Sequence, residues 1–390
     1  MNVTESIKYI GVYDKELDLF EGQYPLTNGV TYNSYVIMDE KIAIMDTVDR
    51  RGKDVWLRNL EKALEGRKPD YLVVSHMEPD HGACVQIVAK KYPQMKIVGN
   101  VKTFNMIDEY FELNEDTQRV LVKEGDTLDL GVHTLQFMMA PMVHWPEVMM
   151  TYDQTEKILF SADAFGTFYD DAHPWVNEAR RYYTNIVGKY GLQVKNVLKK
   201  AKSLDIDMIC PLHGPVLKEE ITQCIRYYEL WSSYTPEESG VLIACASIHG
   251  HTLEATQLLC SLLEEHGEKV ILRDLSRIDV SYVIADAFQY DRIVLAASSY
   301  DGGVFCPMEQ LIHHLKSKNF QNRPIGFIEN GTWAPCAIKA MKDVLDTFKA
   351  IEYMEPTMTI RGALKEQNKE ELKVLAKTII EGGCIDEICV

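Results

Sequence analysis

The densest chemistry in the chain is the run His76, Glu78, Asp80 and His81, within "VVSHMEPDHGACV" directly after an apolar stretch. Two imidazoles and two carboxylates so close together offer the nitrogen and oxygen donors that bind transition metals. Taken alone, the same residues also read as a charged turn or a capped helix start. Three further candidate donors each close an apolar stretch: His144 in "APMVHWPEV", Asp163 in "LFSADAFG" and His213 in "ICPLHGPV". A lone histidine after a strand is commonly a hydrogen-bonded structural residue, and Asp163 could cap a helix. The recurrence of all three at strand ends, beside the dense cluster, favours one shared metal site. His133 in "GVHTLQF" is expected to be an exposed strand residue, and His173 in "DDAHPWV" a loop residue ahead of Pro174. Trp145 and Pro146 are expected to wall the pocket behind His144.

Such donors need a layered scaffold to bring them together. The first half supplies β-rich runs, "KIAIMDTV", "DYLVVSH", "KIVGN", "HTLQFMMAP" and "KILFSAD", with helical stretches at "DVWLRNLEKALEG" and "TNIVGKYGLQVKNVLKKAKSL". This irregular mixture predicts a layered α/β or α+β domain over residues 1–237. "WSSYTPEESG" reads as a linker. From 238 to 390 the pattern alternates strictly: strands at "GVLIACASI", "KVILRDLS", "DRIVLAASS", "RPIGFIEN" and "IEYMEPTMTI", with helices at "TLEATQLLCSLLEEHG", "MEQLIHHLKSK", "AIKAMKDVLDTFKA" and from about Lys369. Five strands alternating with helices predict a doubly wound parallel sheet.

The order His-x-Glu-x-Asp-His, then His, Asp and His, resembles that of the flavodiiron proteins, also called A-type flavoproteins. The resemblance covers nearly the whole chain. It implies an α/β protein: an N-terminal metallo-β-lactamase-like αβ/βα sandwich and a C-terminal flavodoxin-like doubly wound parallel sheet. In the wider superfamily the first motif is His-x-His-x-Asp-His and binds zinc for hydrolysis; here Glu78 stands at the second histidine. A carboxylate is a harder, anionic ligand that stabilises ferric iron, whereas imidazole suits zinc. By this resemblance His76, Glu78 and His144 hold one iron, Asp80 and His213 hold the other, and Asp163 bridges them. His81 matches the motif as a neighbour of the metal or an intermittent ligand. Two metals about 3.5–4 Å apart can clamp a small diatomic molecule. The interval from Asp163 to His213 is short against the family pattern.

A second constellation lies in the other half. "ASIHGHTLEAT" follows a strand and opens a helix, so Ser247, Ile248, His249, Gly250, His251 and Thr252 can cradle a phosphate on backbone amides and the helix N-terminus. In flavodoxin-like order the flavin sits at the switch point between the first and third strands, which adds Ser299, Tyr300, Asp301, Gly302 and Gly303. "ENGTWAPCA" adds Asn330, Gly331, Thr332, Trp333 and Ala334, with the Trp333 face available to stack on an isoalloxazine ring. No acidic ribose-binding fingerprint of the dinucleotide type follows, which favours FMN over FAD or NAD. His249 and His251 depart from the small or polar residues expected in a phosphate loop; they add donors or face solvent.

A net charge of −17 with no Lys/Arg cluster argues against nucleic acid. No apolar run approaches a membrane span, and the first residues lack a secretory pattern, so a soluble cytoplasmic protein is expected. Cys384 and Cys389 read as free surface thiols, and no C-x-x-C pair occurs. An electron donor would therefore be external, a rubredoxin or a reduced deazaflavin. The resemblance implies an oxidoreductase that passes electrons from FMN to a non-haem diiron centre reducing O2 to water or NO to nitrous oxide. It also implies a head-to-tail homodimer or homotetramer. Two rivals remain: a dimetal hydrolase fused to a flavodoxin, which predicts zinc, and a flavin electron carrier, which predicts an empty metal site.

Overall fold

The short apolar runs of the first half pair into two sheets. In the computed structural model, which describes residues 2–168 and 174–382, one sheet orders its strands Ile7–Tyr9, Tyr35–Ile37, Ala43–Met45, Tyr71–Val73, Lys96–Gly99 and Arg119–Leu121. The other orders Thr127–Asp129, Thr134–Met139, Met149–Asp153, Ile158–Phe160 and Met208–Cys210. Both sheets mix parallel and antiparallel pairs. Successive side chains on a strand point to opposite faces. One face of each sheet therefore meets the other, where Tyr35, Met45, Val73 and Val98 pack with Leu135, Phe137, Met149 and Phe160. Helices cover the outer faces: Lys53–Leu64 buries Trp56, Leu60 and Leu64, and Gly191–Ala201 buries Val194, Val197 and Leu198. The result is an αβ/βα sandwich.

Several local expectations change. The helix predicted over 184–204 is broken into a π turn at Tyr183–Val187, a 3-10 turn at Gly188–Tyr190 and an α-helix only from Gly191. Gly188 and Gly191 weaken regular helix there. His133 is buried rather than exposed, because Asp153 on the neighbouring strand accepts from its Nδ1 at 2.7 Å. His173, Cys384 and Cys389 lie outside the described residues.

The chain divides into two compact units, Met1–Glu229 and Leu230–Val390. The stretch read as a linker is shorter than its composition suggests. Trp231 is buried at the end of helix Ile221–Ser232, and Glu238 already begins a strand. The second unit carries a parallel sheet ordered Val270–Asp274, Glu238–Ala246, Tyr290–Tyr300, Gln321–Asn330 and Lys349–Tyr353. In chain order this is 2-1-3-4-5, the flavodoxin-like winding. Leu242, Ala244 and Ala246 enter one core while Val241, Ile243 and Cys245 enter another, which explains the unbroken apolar run.

"IEYMEPTMTI" is two strands rather than one. Lys349–Tyr353 and Met358–Ile360 both pair with Gln321–Asn330, with Pro356, which cannot donate to a ladder, between them. Helix Ala337–Leu345 stops before the predicted end because Lys349 belongs to that strand, and the last helix starts at Glu366. Helix Val280–Gln289 adds to the predicted alternation. Seven of its ten residues are buried. Among the described residues no helix is long and apolar enough to cross a membrane.

Candidate metal centre and cofactor cavity

Loops at strand ends gather the donors of the first unit. Ser75 and His76 follow the Tyr71–Val73 strand, and both of their N–H groups donate to Asp46 Oδ1, at 2.6 and 3.3 Å. Glu78 precedes Pro79, which opens the short helix Pro79–Gly82 carrying Asp80 and His81. The neighbouring loops are conformationally strained. Asp46, Met142, Ala162 and Phe165 take positive φ values of 55, 67, 51 and 65°. Backbone of this kind persists where the surroundings over-determine it, commonly at functional sites.

Two donor groups result, joined by one carboxylate. His144 Nε2 lies 2.9 Å from Glu78 Oε2 and 3.1 Å from Asp163 Oδ2, while His76 Nε2 lies 3.2 and 3.4 Å from the same atoms. On the other side His213 Nε2 lies 3.2 Å from Asp80 Oδ2 and 3.0 Å from His81 Nε2, and His81 Nε2 is 3.2 Å from Asp163 Oδ1. Asp163 thus turns one oxygen to each group. The donors fall into His76, Glu78, His144, Asp163 and Asp80, His81, His213. Counting Asp163 twice, each side has two imidazoles and two carboxylates. His81 stands in this geometry as close to the second group as His213 does.

The surroundings fix the donors' orientation. His76 Nδ1–H donates to Glu147 Oε1 at 2.7 Å and His213 Nδ1–H to the Thr31 carbonyl at 2.7 Å, which leaves both Nε2 lone pairs facing the centre. Gly214 N–H and the Asn33 amide tie the His213 loop to the Thr31 segment. The Trp145 ring stands edge-on to His76 with centroids 5.3 Å apart, so it walls His76 as well as His144. Phe20 meets His213 at 5.1 Å.

Charge supports a cation. Burial alone would lower His144, but the Asp163 and Glu78 carboxylates outweigh it and raise it to about 9. His76 is likewise raised well above the usual range, burial being overcome by Asp163, Glu147 and Glu78. Burial would raise Glu78, yet His144 and His76 bring it down to about 2, and Asp163 is pulled well below the carboxylate range mainly by His81 and His144 against burial. The carboxylates thus demand a positive centre. Even so, Asp80 Oδ1 is buried without a hydrogen-bond partner, and Asp80 Oδ2 and Asp163 Oδ1 meet only the imidazole nitrogens of the same group. Uncompensated buried carboxylate oxygens are costly, and bound cations would satisfy them. The donor set fits two metal ions.

In the second unit a cavity of about 760 Å³ opens at the carboxyl ends of the central strands. Of the predicted residues, Ser247, Ile248, His249, His251, Thr252, Ser299, Tyr300, Asp301, Gly302, Asn330, Gly331, Thr332, Trp333 and Ala334 line it. Gly250 and Gly303 do not. Gly250 turns the chain into helix His251–Glu265 at φ +91°, and Gly303 pairs with Tyr300 in a hairpin. Ser298, Cys336 and Gly362 join the wall unforeseen. Thr252 Oγ1 and Ser298 Oγ, 3.1 Å apart, tie the first loop to the second. Ser299 Oγ accepts from Cys336 and Ala337 N–H groups and ties the second loop to the third. A Cβ on Gly331 would sit 2.8 Å from Pro335 Cα, so the third loop needs glycine. Helix His251–Glu265 has no side-chain cap at its start, which leaves first-turn N–H groups free for an anion.

Sequence reasoning missed Glu147, Thr31 and Asp46. Glu147 stood three residues after His144 and was a findable signal; the Thr31 carbonyl leaves no trace in residue types.

Comparison with known proteins agrees with this architecture. Residues 30–214 match the family model described as ODP family beta lactamase. The chain is 28% identical to the anaerobic nitric oxide reductase flavorubredoxin of Vibrio vulnificus, over 85% of this chain and 70% of that protein. It is 30% identical to diflavin flavoprotein A 1 of Synechocystis over 71% of its length, and there it spans only half of the relative. The solved rubredoxin oxygen:oxidoreductase of Desulfovibrio gigas superposes with a TM-score of 0.90 at 23% identity, covering 98% of both chains. Fold and site define a metallo-β-lactamase-like unit joined to a flavodoxin-like one. In sequence and fold the chain is similar to flavodiiron, or A-type flavoprotein, relatives, whose names support an oxidoreductase.

Proposed function

We propose that this chain is a flavin-dependent diiron reductase of O2, NO or both. His76, Glu78 and His144 hold one iron, Asp80, His81 and His213 the other, and Asp163 is shared. The observation that carries the reading is Asp163, buried with one oxygen toward each donor group, Oδ2 facing His144 and Oδ1 facing His81. Irons bound there would supply the capture and reduction of a diatomic molecule, and FMN in the second unit's cavity would supply electrons singly.

The chain's own residues do the positioning. Glu147 and Thr31 fix the tautomers of His76 and His213. Phe20 and Trp145 pack apolar surface against the imidazoles and limit water there. The three loops of the second unit offer amide and hydroxyl groups to the phosphate end of the flavin and Trp333 to its ring. A rubredoxin-type donor is favoured by the names of the relatives, a reduced deazaflavin being the alternative. A head-to-tail homodimer or homotetramer belongs to the same proposal, and sedimentation of the loaded protein tests it.

The decisive experiment is anaerobic. The chain is loaded with FMN and iron, fully reduced, and mixed with O2 or NO in separate runs. Rapid flavin oxidation by either gas, with water or nitrous oxide formed in proportion to the electrons stored, is expected. Oxidation no faster than that of free FMN, or purification with tightly bound zinc and hydrolytic activity, would refute the reading.

A further inference from the structure

A second, smaller cavity of about 370 Å³ lies behind the third cofactor loop. Cys336 lines both cavities, so a single layer of chain separates them there. Glu329 and Asn330 end the strand Gln321–Asn330 and, as successive strand residues, point to opposite faces. Asn330 lines the cofactor cavity and Glu329 the smaller one. Glu329 is only 7% exposed, and its carboxylate is held by neutral donors. Oε2 accepts from the Ile338 N–H at 3.0 Å and Oε1 from the Thr359 hydroxyl at 2.9 Å.

Ile338 is the second residue of helix Ala337–Leu345, whose N-cap residue Cys336 offers no side-chain hydrogen bond. Glu329 supplies that cap from the far side of the loop, where a helix start favours negative charge. The bond joins residues 329 and 338 and closes the loop between them at its neck. Six of the enclosed residues, Asn330, Gly331, Thr332, Trp333, Ala334 and Cys336, line the cofactor cavity. Asn330 extends the tie: its amide donates to the Gly362 carbonyl at 2.9 Å, and its Oδ1 accepts from the Gly362 N–H at 3.1 Å. Gly362 lines the cofactor cavity too. Thr332, Trp333 and Ala334 at the loop tip are exposed, so the tip has little packing of its own and its place is set at its ends.

We infer that Glu329 is a positioning residue for the cofactor, holding Trp333 from behind where the flavin ring binds. The inference rests on the flavin reading of the cavity and adds to it the residue that sets its third loop. The smaller cavity gives access to that residue. Its charged side chains are two acids, Glu329 and Asp343, and two lysines, Lys339 and Lys342. Removing the Glu329 carboxylate leaves this cavity net positive, with the Ile338 amide open to a small carboxylate from solution.

The test is binding. Flavin-free chain is titrated with FMN and with riboflavin, following flavin fluorescence. Glu329→Ala is expected to weaken both flavins about tenfold, the cost of losing hydrogen bonds to a buried charged group. Quenching at saturation should also fall, because a displaced Trp333 no longer stacks; lowered stability alone would leave the saturated complex unchanged. Glu329→Gln, whose oxygen can accept from Ile338 and whose amide can donate to Thr359, should bind nearly as the unaltered chain does. Acetate should restore affinity to Glu329→Ala, and chloride at equal ionic strength should not. The Glu329→Ala/Trp333→Ala double variant should bind no more weakly than the weaker single variant, since both act on one contact. Should Glu329→Ala fail to fold, Thr359→Val decides by the same readouts, with a loss of about threefold. Unchanged flavin binding in Glu329→Ala, a loss that neither glutamine nor acetate recovers, or additive losses in the double variant overturn the assignment. If the unaltered chain binds neither flavin, the flavin reading of the cavity fails with it; tight flavin binding that Glu329→Ala leaves intact removes the Glu329 role alone.

Discussion

At the metal centre the recognising groups are side chains: His76 and His213 are wholly buried, and each is oriented by a hydrogen bond to a group behind it. At the cofactor cavity they are mostly backbone amides and small hydroxyl residues on three loops, with Ile248, Tyr300 and Trp333 exposed at its wall. The difference follows from what each must hold. Small cations need several donors at fixed short distances, and buried carboxylates need those cations in return. A flavin offers a large face and a phosphate, which a strand-end crevice and a helix start can meet without buried charge. Substitutions at the first site should therefore act through ligation and electrostatics, and those at the second through shape and stacking.

The largest effect is expected from Asp163→Ala. If this carboxylate serves both positions, metal affinity should fall by more than about 100-fold at both, beyond what loss of a supporting group costs. Iron analysis of the purified variant measures this, with FMN content unchanged as the control. Retention of one tightly bound metal per chain would show that Asp163 serves only one position, and the symmetry of the two donor groups would be lost.

Glu147→Gln comes next. Its amide oxygen can still accept from His76 Nδ1–H, but the negative charge that raises His76 basicity is gone. Loss of about 10- to 100-fold in metal affinity is expected, with stability little changed in the metal-loaded chain. A competition titration against a chelator measures it. Wild-type affinity in this variant would mean that His76 needs only an acceptor.

His133 sharpens the comparison from outside both sites. It is as buried as the proposed ligands, yet one carboxylate, Asp153, satisfies it. That hydrogen bond, set against burial, raises its ionisation above the ordinary histidine value. The folded state therefore binds the proton more tightly than the unfolded chain. The added stability is complete below the unfolded value, about 6.5, and is lost as pH rises through the raised folded value. His133→Asn should cost about 1.5–3 kcal/mol in denaturant unfolding at pH 6, less at pH 9, and leave metal content intact. A larger cost at pH 9 than at pH 6 would contradict the pairing.

These contrasts explain what the sequence could disclose. His76, Glu78, Asp80 and His81 announced themselves because one short helix and the loop before it carry all four. His144, Asp163 and His213 were legible as strand-end residues, since a sheet edge gathers such positions. His133 directly precedes the strand Thr134–Met139 and misled, because its burial and partner are set by Asp153 at the end of the neighbouring strand, a contact no local pattern encodes. Thr31 contributes a carbonyl, which every residue has. In the second half the alternation of strand and helix disclosed the winding and the three loops, yet the short helix Val280–Gln289 between two strands was missed, and Pro356 marked a break that the apolar run around it concealed.

Trp333→Ala should have the smallest effect on the protein and is the cleanest probe of the second site. Trp333 is 89% exposed, so removing it should move unfolding stability by no more than about 0.5 kcal/mol. A ring of that size held in the open is costly for solubility unless it meets something, and it lies on the cavity wall beside Gly331 and Thr332. If its face stacks on the isoalloxazine ring, the loss should weaken FMN and riboflavin alike, by about three- to tenfold, because the ring is common to both. Phosphate-end substitutions should instead separate the two flavins. Fluorescence titration of both flavins against both kinds of variant sets the two halves of the cavity apart. A Trp333→Ala chain that binds each flavin as tightly as the unaltered one would place the ring's support elsewhere, with Tyr300 on the facing loop the next aromatic to remove.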